Sequence, residues 1–250
     1  MELCLFSSAL PGWPAARVAR AALDAGLTAV EWGAGPGQAV ESPRRAAQSL
    51  RSLGVVAAGV CVQGGVASLT APSRLRPYAA LAAELGAPHV RVFAPALRNR
   101  ERALDGLAAA AEIARDEGVA LLIETAPDTI VPSTSQARAL VDGFPPELVG
   151  VLYDPGNMVI EGHVNPPLAI AELGPYLRHV HVKNVAWRRE RGTWRWRHAA
   201  LDTGLLDWDA IRAALRQAGY TGRLSLDHLG GTPSLATLRR ELRTLGYPSP

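Results

Sequence analysis

Residues 149–157 read Val-Gly-Val-Leu-Tyr-Asp-Pro-Gly-Asn, a short apolar run that ends at an acidic residue. The run has the nearly unbroken hydrophobicity of a parallel strand that is covered on both faces. Similar runs recur on both sides of it, and longer segments with the spacing of amphipathic helices separate them. This alternation of strand and helix is typical of parallel βαβ units.

Eight strand and helix pairs can be placed along the 250 residues. Between the second and third strands, for example, Ser42 and Pro43 open a helix that ends at Gly54. An open doubly wound sheet rarely uses eight regular units, so we predict an α/β fold, a single parallel (β/α)8 TIM barrel. The predicted strands are Leu3–Ser7, Thr28–Trp32, Val55–Val62, His89–Phe93, Val119–Thr125, Val149–Asp154, His179–Asn184 and Arg223–Asp227.

The composition predicts one domain over residues 1–250, because 48% hydrophobic content can supply a continuous core and no Pro/Gly/Ser-rich linker interrupts the pattern. The apolar run at the start contains Glu2 and is too short for a signal segment or a membrane span, which predicts a cytoplasmic protein with no membrane partner. Cys4 and Cys61 lie in apolar segments and are expected as buried thiols. A net charge of +3 does not indicate a nucleic-acid partner.

Polar residues stand at the ends of four successive predicted strands: Glu124, Asp154, His181 and Asp227. In a (β/α)8 barrel these ends meet at one mouth. A single acid there is more often a helix cap or an ion-pair partner, but three neighbouring carboxylates repel one another unless a cation neutralises them. The pattern therefore predicts that these four residues bind one divalent metal ion. Mixed oxygen and imidazole ligands suit Mn, Co, Mg, Fe or Zn, with Mn or Co slightly favoured.

Two histidines share one face of the seventh predicted strand. His181 lies nearer the mouth and is taken as the ligand, whereas His179 is expected to be a packed or hydrogen-bonded core residue. By the same alternation, His228 is expected to point away from Asp227.

These motifs resemble the xylose-isomerase-like barrel superfamily, which includes ketose 3-epimerases, hydroxypyruvate isomerases, inosose dehydratases and endonuclease IV. The resemblance runs over nearly the whole chain and implies that the four residues named above bind the metal. Asp227 departs from the pattern, since most isomerases and epimerases of the group have Glu there. The most specific matches are Ala29-Val-Glu31-Trp32, Leu122-Ile-Glu124-Thr125, Leu152-Tyr-Asp154-Pro-Gly-Asn157, His179-Val-His181-Val-Lys183-Asn184 and residues 202–227.

The resemblance also implies a reaction on a small-molecule carbohydrate. In the 3-epimerases the metal-binding glutamates of strands five and eight exchange the proton beside the carbonyl, so Glu124 and Asp227 are the expected acid/base pair of a sugar or sugar-phosphate isomerase or epimerase. Lys183 is expected either to stabilise the oxyanion as a catalytic residue or to be a strand-end lysine that extends to solvent. Asn157, where ketose epimerases often have His, is an expected substrate contact.

The connection from Val185 to Asp207 is the longest between predicted strands. Its aromatic and basic residues around Gly192-Thr193 predict a β-hairpin that covers the mouth or packs against a second subunit of a homo-oligomer. Arg188 of this arm is an expected substrate contact. Glu31 on strand two is expected either to hydrogen-bond a substrate hydroxyl or to anchor Arg91 across the barrel.

Three other functions are weighed against this one. A lyase of the inosose dehydratase kind would use the same metal and the same proton abstraction but lose a β-hydroxyl. A barrel that no longer catalyses could serve as a binding or regulatory subunit. DNA repair of the endonuclease IV type is disfavoured, because a three-zinc site needs further histidines where this chain has Gln63, Arg91 and Asn157.

Overall fold

A closed barrel of eight parallel strands forms the centre of the computed structural model, which describes residues 1–162 and 165–247. Each barrel strand pairs with the next in the chain, and the last pairs with the first to complete the ring. The described strands are β1 (Glu2–Phe6), β2 (Ala29–Ala34), β3 (Val56–Val62), β4 (His89–Phe93), β5 (Ala120–Glu124), β6 (Val149–Tyr153), β7 (Leu177–Val182), β8 (Asn184–Glu190), β9 (Thr193–Ala199) and β10 (Arg223–Leu226). All but β8 and β9 belong to the barrel, which confirms the predicted (β/α)8 architecture.

Helices follow the barrel strands. In the longest of them, Ala103, Leu107, Ala110 and Ala114 are buried at spacings of three and four residues, as expected for a helix packed on the barrel. Every helix of the described ranges is too short or too polar to cross a membrane. The helices are α1 (Ala15–Asp24), α2 (Pro43–Arg51), α3 (Arg76–Leu85), α4 (Arg100–Asp116), α5 (Thr134–Val141), α6 (Pro155–Glu161), α7 (Pro166–Leu173), α8 (Trp208–Gln217) and α9 (Leu235–Thr244).

The two faces of a barrel strand enter different environments. On β5, Leu121 and Ile123 belong to the large apolar cluster that the helices share, whereas Leu122 packs in a small separate cluster with Ala120 and Leu152. Glu124 lies on the same face as Leu122 and therefore points into the barrel. The barrel interior is therefore apolar along the first part of β5 and polar at the carboxyl end of that strand.

The predicted hairpin is confirmed as the antiparallel pair β8 and β9. Its turn is Arg191-Gly192 rather than Gly192-Thr193, because Thr193 already pairs with Glu190. Both turn residues have positive φ, 49° for Arg191 and 82° for Gly192, which matches the twist of a two-residue hairpin turn. At the base, the amide of Asn184 donates to the carbonyls of Leu201 and Leu206, both at 2.9 Å, and fixes the hairpin to the barrel.

Candidate metal centre at the barrel mouth

Three of the predicted ligands converge inside the carboxyl end of the barrel. Glu124 ends β5, Asp154 directly follows β6, and His181 lies one residue before the end of β7. All three are buried, and one potential ligand atom from each lies within 4.8 Å of the others. The parallel strands bring together residues that are up to 57 positions apart because all their carboxyl ends meet at one mouth.

Asp227 lies on the solvent side of this group. It directly follows β10, and its backbone N–H donates to the carbonyl of Val182 at 2.9 Å, which continues the pairing with β7. Its Oδ1 is 3.9 Å from Nδ1 of His181. With a side chain that is 16% exposed, it is more accessible than Glu124 at 3%, Asp154 at 0% and His181 at 0%. The four residues predicted as ligands therefore lie together.

His181 turns one ring nitrogen towards the carboxylates and the other into the barrel. Nδ1 lies 3.5 Å from Oε1 of Glu124 and 3.9 Å from Oδ2 of Asp154, while Nε2 lies 2.9 Å from Oε2 of Glu31. A proton on Nε2 donated to Glu31 leaves the Nδ1 lone pair for a metal, an arrangement common for histidine ligands. Burial alone lowers the pKa of His181, but the carboxylates of Glu31, Glu124 and Asp227 outweigh it and raise that pKa well above its usual value.

The carboxylate of Asp154 both caps a helix and faces the candidate metal site. Its Oδ1 accepts the backbone N–H of Asn157 at 2.9 Å and so caps α6. Its Oδ2 faces the mouth, where the ammonium of Lys183 lies 2.7 Å away. The helix cap fixes the carboxylate with one oxygen turned to the candidate site. Burial, with added repulsion from Asp227 and Glu124, raises the pKa of Asp154 to about 6 although Lys183 opposes the shift.

Lys183 is buried between two acids and does not extend to solvent. Its Nζ lies 2.7 Å from Asp154 and 3.2 Å from Asp227. Burial disfavours its charge, but these acids outweigh that cost and hold the pKa of Lys183 above its usual value, so the side chain is an ammonium. Gly156 makes room for it, because a Cβ there would lie 2.6 Å from Cγ of Lys183. The same lysine helps lower the pKa of Asp227 to about 2 against the effect of burial.

Glu124 is held from two sides. Nε of Arg91 lies 2.9 Å from its Oε2, and the amide of Asn157 donates to its Oε1 at 3.3 Å and to the carbonyl of Thr125 at 2.9 Å. Burial raises the pKa of Glu124, but Arg91 and His181 reverse that effect and lower it below the usual value. The expectation that Glu31 anchors Arg91 is wrong, since Arg91 pairs with Glu124. The pairing joins neighbouring strands, since Arg91 of β4 is in register with Leu122 of β5, two residues before Glu124, and this register is not contained in the local sequence pattern.

The other predicted residues lie in different places. Glu31 is fully buried beneath His181 and does not line the mouth cavity. Arg188 is exposed on the hairpin and does not line it either. His228, expected to point away, lines the cavity beside Asp227 and stacks on His198 with ring centroids 3.5 Å apart. Strand alternation fails for His228 because β10 has already ended at Leu226.

The mouth cavity has a volume of about 480 Å³. Its floor contains Glu124, Lys183 and Asp227, and Phe6 and Phe93 form aromatic walls. Further polar side chains that could contact a ligand surround them, namely Ser8, Gln38, Gln63, Arg91, Asn157 and His198. A polar floor with a few apolar walls is typical of a site for a small polar molecule.

Comparison with known proteins places the chain in a family. Residues 19–246 match the sequence model of the xylose isomerase-like TIM barrel. Inosose dehydratase of Bacillus anthracis is 29% identical over 85 residues, which covers 34% of this chain and 28% of that enzyme. The alignment therefore spans less than a third of that relative's length.

Two solved structures share the complete fold. A xylose isomerase-like TIM barrel protein from Mycobacterium smegmatis, in complex with magnesium, superposes with a TM-score of 0.77 at 18% identity, covering 98% of this chain and 95% of that one. The 3-keto-D-glucoside 4-epimerase of E. coli gives 0.76 at 16% identity, covering 98% and 99%. Since the family model matches residues 19–246, which is most of the sequence, this protein belongs to the xylose isomerase-like TIM barrel family.

Proposed function

We propose that this protein is a divalent-metal-dependent sugar or sugar-phosphate isomerase or epimerase, which transfers a proton at the carbon beside a carbonyl through an enediolate. One observation carries the proposal. Glu124 of β5 and Asp227 after β10 both face Nδ1 of His181, at 3.5 and 3.9 Å, and both line the mouth cavity. Two carboxylates thus border one ligand cluster from different sides. The epimerase and dehydratase among the similar proteins support a carbohydrate substrate.

The donor set fits a divalent cation. Oδ2 of Asp154 and Nδ1 of His181 are buried and make no hydrogen bond among the described residues, although Lys183 contacts Asp154. Three carboxylates and one imidazole suit Mn²⁺, Co²⁺, Fe²⁺, Mg²⁺ or Zn²⁺. The magnesium complex of the Mycobacterium smegmatis protein supports this assignment. We assign the ion to Glu124, Asp154, His181 and Asp227.

The side chains divide the reaction between them. A bound divalent ion would polarise the substrate carbonyl and acidify the neighbouring C–H bond. Glu124 and Asp227 are both held ionised, so one can remove the proton, and the other can return a proton to the carbon after taking it from solvent. The ammonium of Lys183 can donate a hydrogen bond to the oxyanion that develops. Asn157 keeps Glu124 oriented and lines the cavity, where its amide can contact a bound substrate.

A second candidate is a lyase that removes a β-hydroxyl after the same proton abstraction. Two observations favour it. The curated relatives matched by sequence are inosose dehydratases. Lys183 is also a buried ammonium beside Asp227, and this pair can supply a proton to a departing hydroxyl. Both reactions begin at the same carbon and differ only in what the enediolate does next.

The test is to incubate the metal-loaded protein in D₂O with ketoses, phosphorylated ketoses and inososes and to follow each by NMR. An isomerase or epimerase incorporates deuterium at the carbon beside the carbonyl and conserves the atoms of the sugar, whereas a lyase forms an unsaturated product with loss of water. Glu124→Gln is expected to abolish either outcome. Conversion without deuterium in the product would contradict proton transfer and favour a hydride shift. No conversion of any compound, with metal bound, would favour a non-catalytic barrel.

A further inference from the structure

A second group of potential ligands lies deeper in the barrel, below the mouth. Glu31 comes from β2, His89 from β4 and His179 from β7, and all three are buried. One potential ligand atom from each lies within 4.8 Å of the others, and the group shares no residue with the four ligands assigned at the mouth. Two imidazoles and one carboxylate are a donor set that zinc takes in proteins.

The distances within this group differ from those of a hydrogen-bond network. Nε2 of His89 lies 3.5 Å from Oε1 of Glu31, and Nε2 of His179 lies 3.4 Å from Oε2. Good N–H···O bonds are roughly 2.7–3.2 Å long, so both contacts are long. Two ligands on a tetrahedral ion with metal–ligand bonds of about 2.0–2.1 Å stand about 3.4 Å apart. Nε2 of His179 makes no hydrogen bond in the described part of the chain, although it is buried.

The carboxylate of Glu31 also makes one contact of ordinary hydrogen-bond length. Oε2 of Glu31 is 2.9 Å from Nε2 of His181, the candidate mouth ligand. The alternative group of Glu31, Cys61 and His181 would take His181 away from the mouth. The thiol of Cys61 also donates to Oε1 of Glu31 at 2.9 Å, so it already has a partner. The group with His89 and His179 takes none of the four mouth ligands, although Oε2 of Glu31 contacts both His179 and His181.

The deeper group has its own access and its own space. A cavity of about 290 Å³ opens at the amino-terminal end of the barrel, where Glu2 and Ala120 begin their strands, and both His89 and His179 line it. Gly59 makes room for the ring of His89, because a Cβ there would lie 2.2 Å from Nε2.

We propose that Glu31, His89 and His179 bind a second divalent ion of the zinc class inside the barrel, which enters from the amino-terminal face. The ion takes its remaining ligand from solvent in the cavity. It binds the carboxylate that also contacts His181, so it fixes the group that orients the mouth ligand. The proposal of this interior site does not depend on whether the protein catalyses the reaction proposed above.

The test counts metal ions in the full chain. Metal-free protein is loaded with zinc, freed of excess and analysed for zinc per chain. The wild type is expected to retain two equivalents, and His89→Gln and His179→Gln are expected to retain one. Gly59→Ala is expected to lose the same equivalent without changing a ligand. Asp207→Asn, which changes a helix cap outside both ligand groups, is the control and is expected to retain two.

A mouth variant makes the result independent of how the interior variants fold. Asp154→Asn is expected to retain one zinc, and cobalt bound in its place is expected to show the intense visible absorption of a four-coordinate ion with nitrogen ligands. Retention of two equivalents by folded His89→Gln and His179→Gln would overturn the proposal. So would a single equivalent in the wild type that Asp154→Asn loses completely.

Discussion

At the scale of single residues, Arg91 decides the state of Glu124. Both are buried, and Nε of Arg91 lies 2.9 Å from the carboxylate. Arg91→Met keeps the apolar stem but removes the cation nearest to a buried carboxylate, and breaking a buried pair costs about 3–5 kcal/mol. We expect a loss of that order in the free energy of unfolding of the metal-free protein, measured in urea. Arg188→Met, on the exposed hairpin, is the matched control and is expected to change stability by less than about 0.5 kcal/mol. Equal effects would contradict the pairing.

His181 predicts how stability and metal affinity depend on pH. Its pKa is raised well above its unfolded value of about 6.5. Protonated His181 therefore stabilises the metal-free fold. This contribution is complete below about pH 6.5, the pKa of the unfolded state, and is lost as the pH rises through the pKa of the folded state. The free energy of unfolding should therefore decline above about pH 6.5, and His181→Gln should lack this decline. A metal must displace the same proton, so metal affinity should rise over that range. Parallel profiles for both proteins would contradict the role of His181.

Asp227 is shorter by one methylene than the glutamate of most related isomerases and epimerases. If it is an anionic ligand and acid/base group, Asp227→Glu should remain active and Asp227→Asn should lose proton exchange. The measurement is the rate of deuterium entry into a substrate that the wild type converts. An inactive Asp227→Glu together with full exchange in Asp227→Asn would show that its charge is not needed.

At the scale of elements, the hairpin is an appendage with a distinct aromatic face. Trp187 pairs with Trp196, and Trp194 lies on the same face; all three are exposed. Trp196 meets His198 edge to face, and His198 stacks on His228 in the wall of the mouth cavity. The aromatic face is thus continuous with the cavity, which supports a role in closing the site or in joining subunits.

Replacing residues 188–195 by Asn-Gly tests this role. The barrel should remain folded, because its core does not include the tip of the hairpin. We expect a higher KM for the substrate if the hairpin covers the mouth, or a smaller mass in solution if it joins subunits. Circular dichroism controls for folding. Unchanged kinetics and unchanged mass would exclude both roles.

The strands were predictable because parallel strands covered on both faces must be apolar throughout. The ends of the strands were less predictable. The seventh strand is predicted to reach Asn184, but β7 ends at Val182 and Asn184 begins the hairpin. The side chain of Asn184 causes this break by binding the backbone of Leu201 and Leu206. Such contacts depend on residues far along the chain, which local patterns do not contain.

At the scale of the whole molecule, the candidate ligands could be predicted because the barrel brings all strand ends to one mouth. The side chains that contact those ligands could not be predicted. Whether Glu31 meets Arg91 or His181 depends on the stagger of strands around the ring, and the register shift between Val30 and Glu31 is an example of an irregularity that changes it. The interior group of Glu31, His89 and His179 is hidden from sequence for the same reason.

The central claim is that the mouth binds a divalent metal through Asp154 and its neighbours. Asp154→Asn tests it directly, because asparagine still caps α6 but removes the charge. Asp207→Asn is a matched control: Asp207 caps α8 by accepting the N–H of Ala210 at 2.9 Å and belongs to no group of candidate ligands.

The measurement is calorimetric titration of metal-free wild type and both variants with Mn²⁺. The account predicts that Asp154→Asn weakens binding at the mouth by more than about 100-fold, beyond the loss typical of residues that only support a ligand, while Asp207→Asn leaves it unchanged. Equal affinities for all three folded proteins would contradict the account.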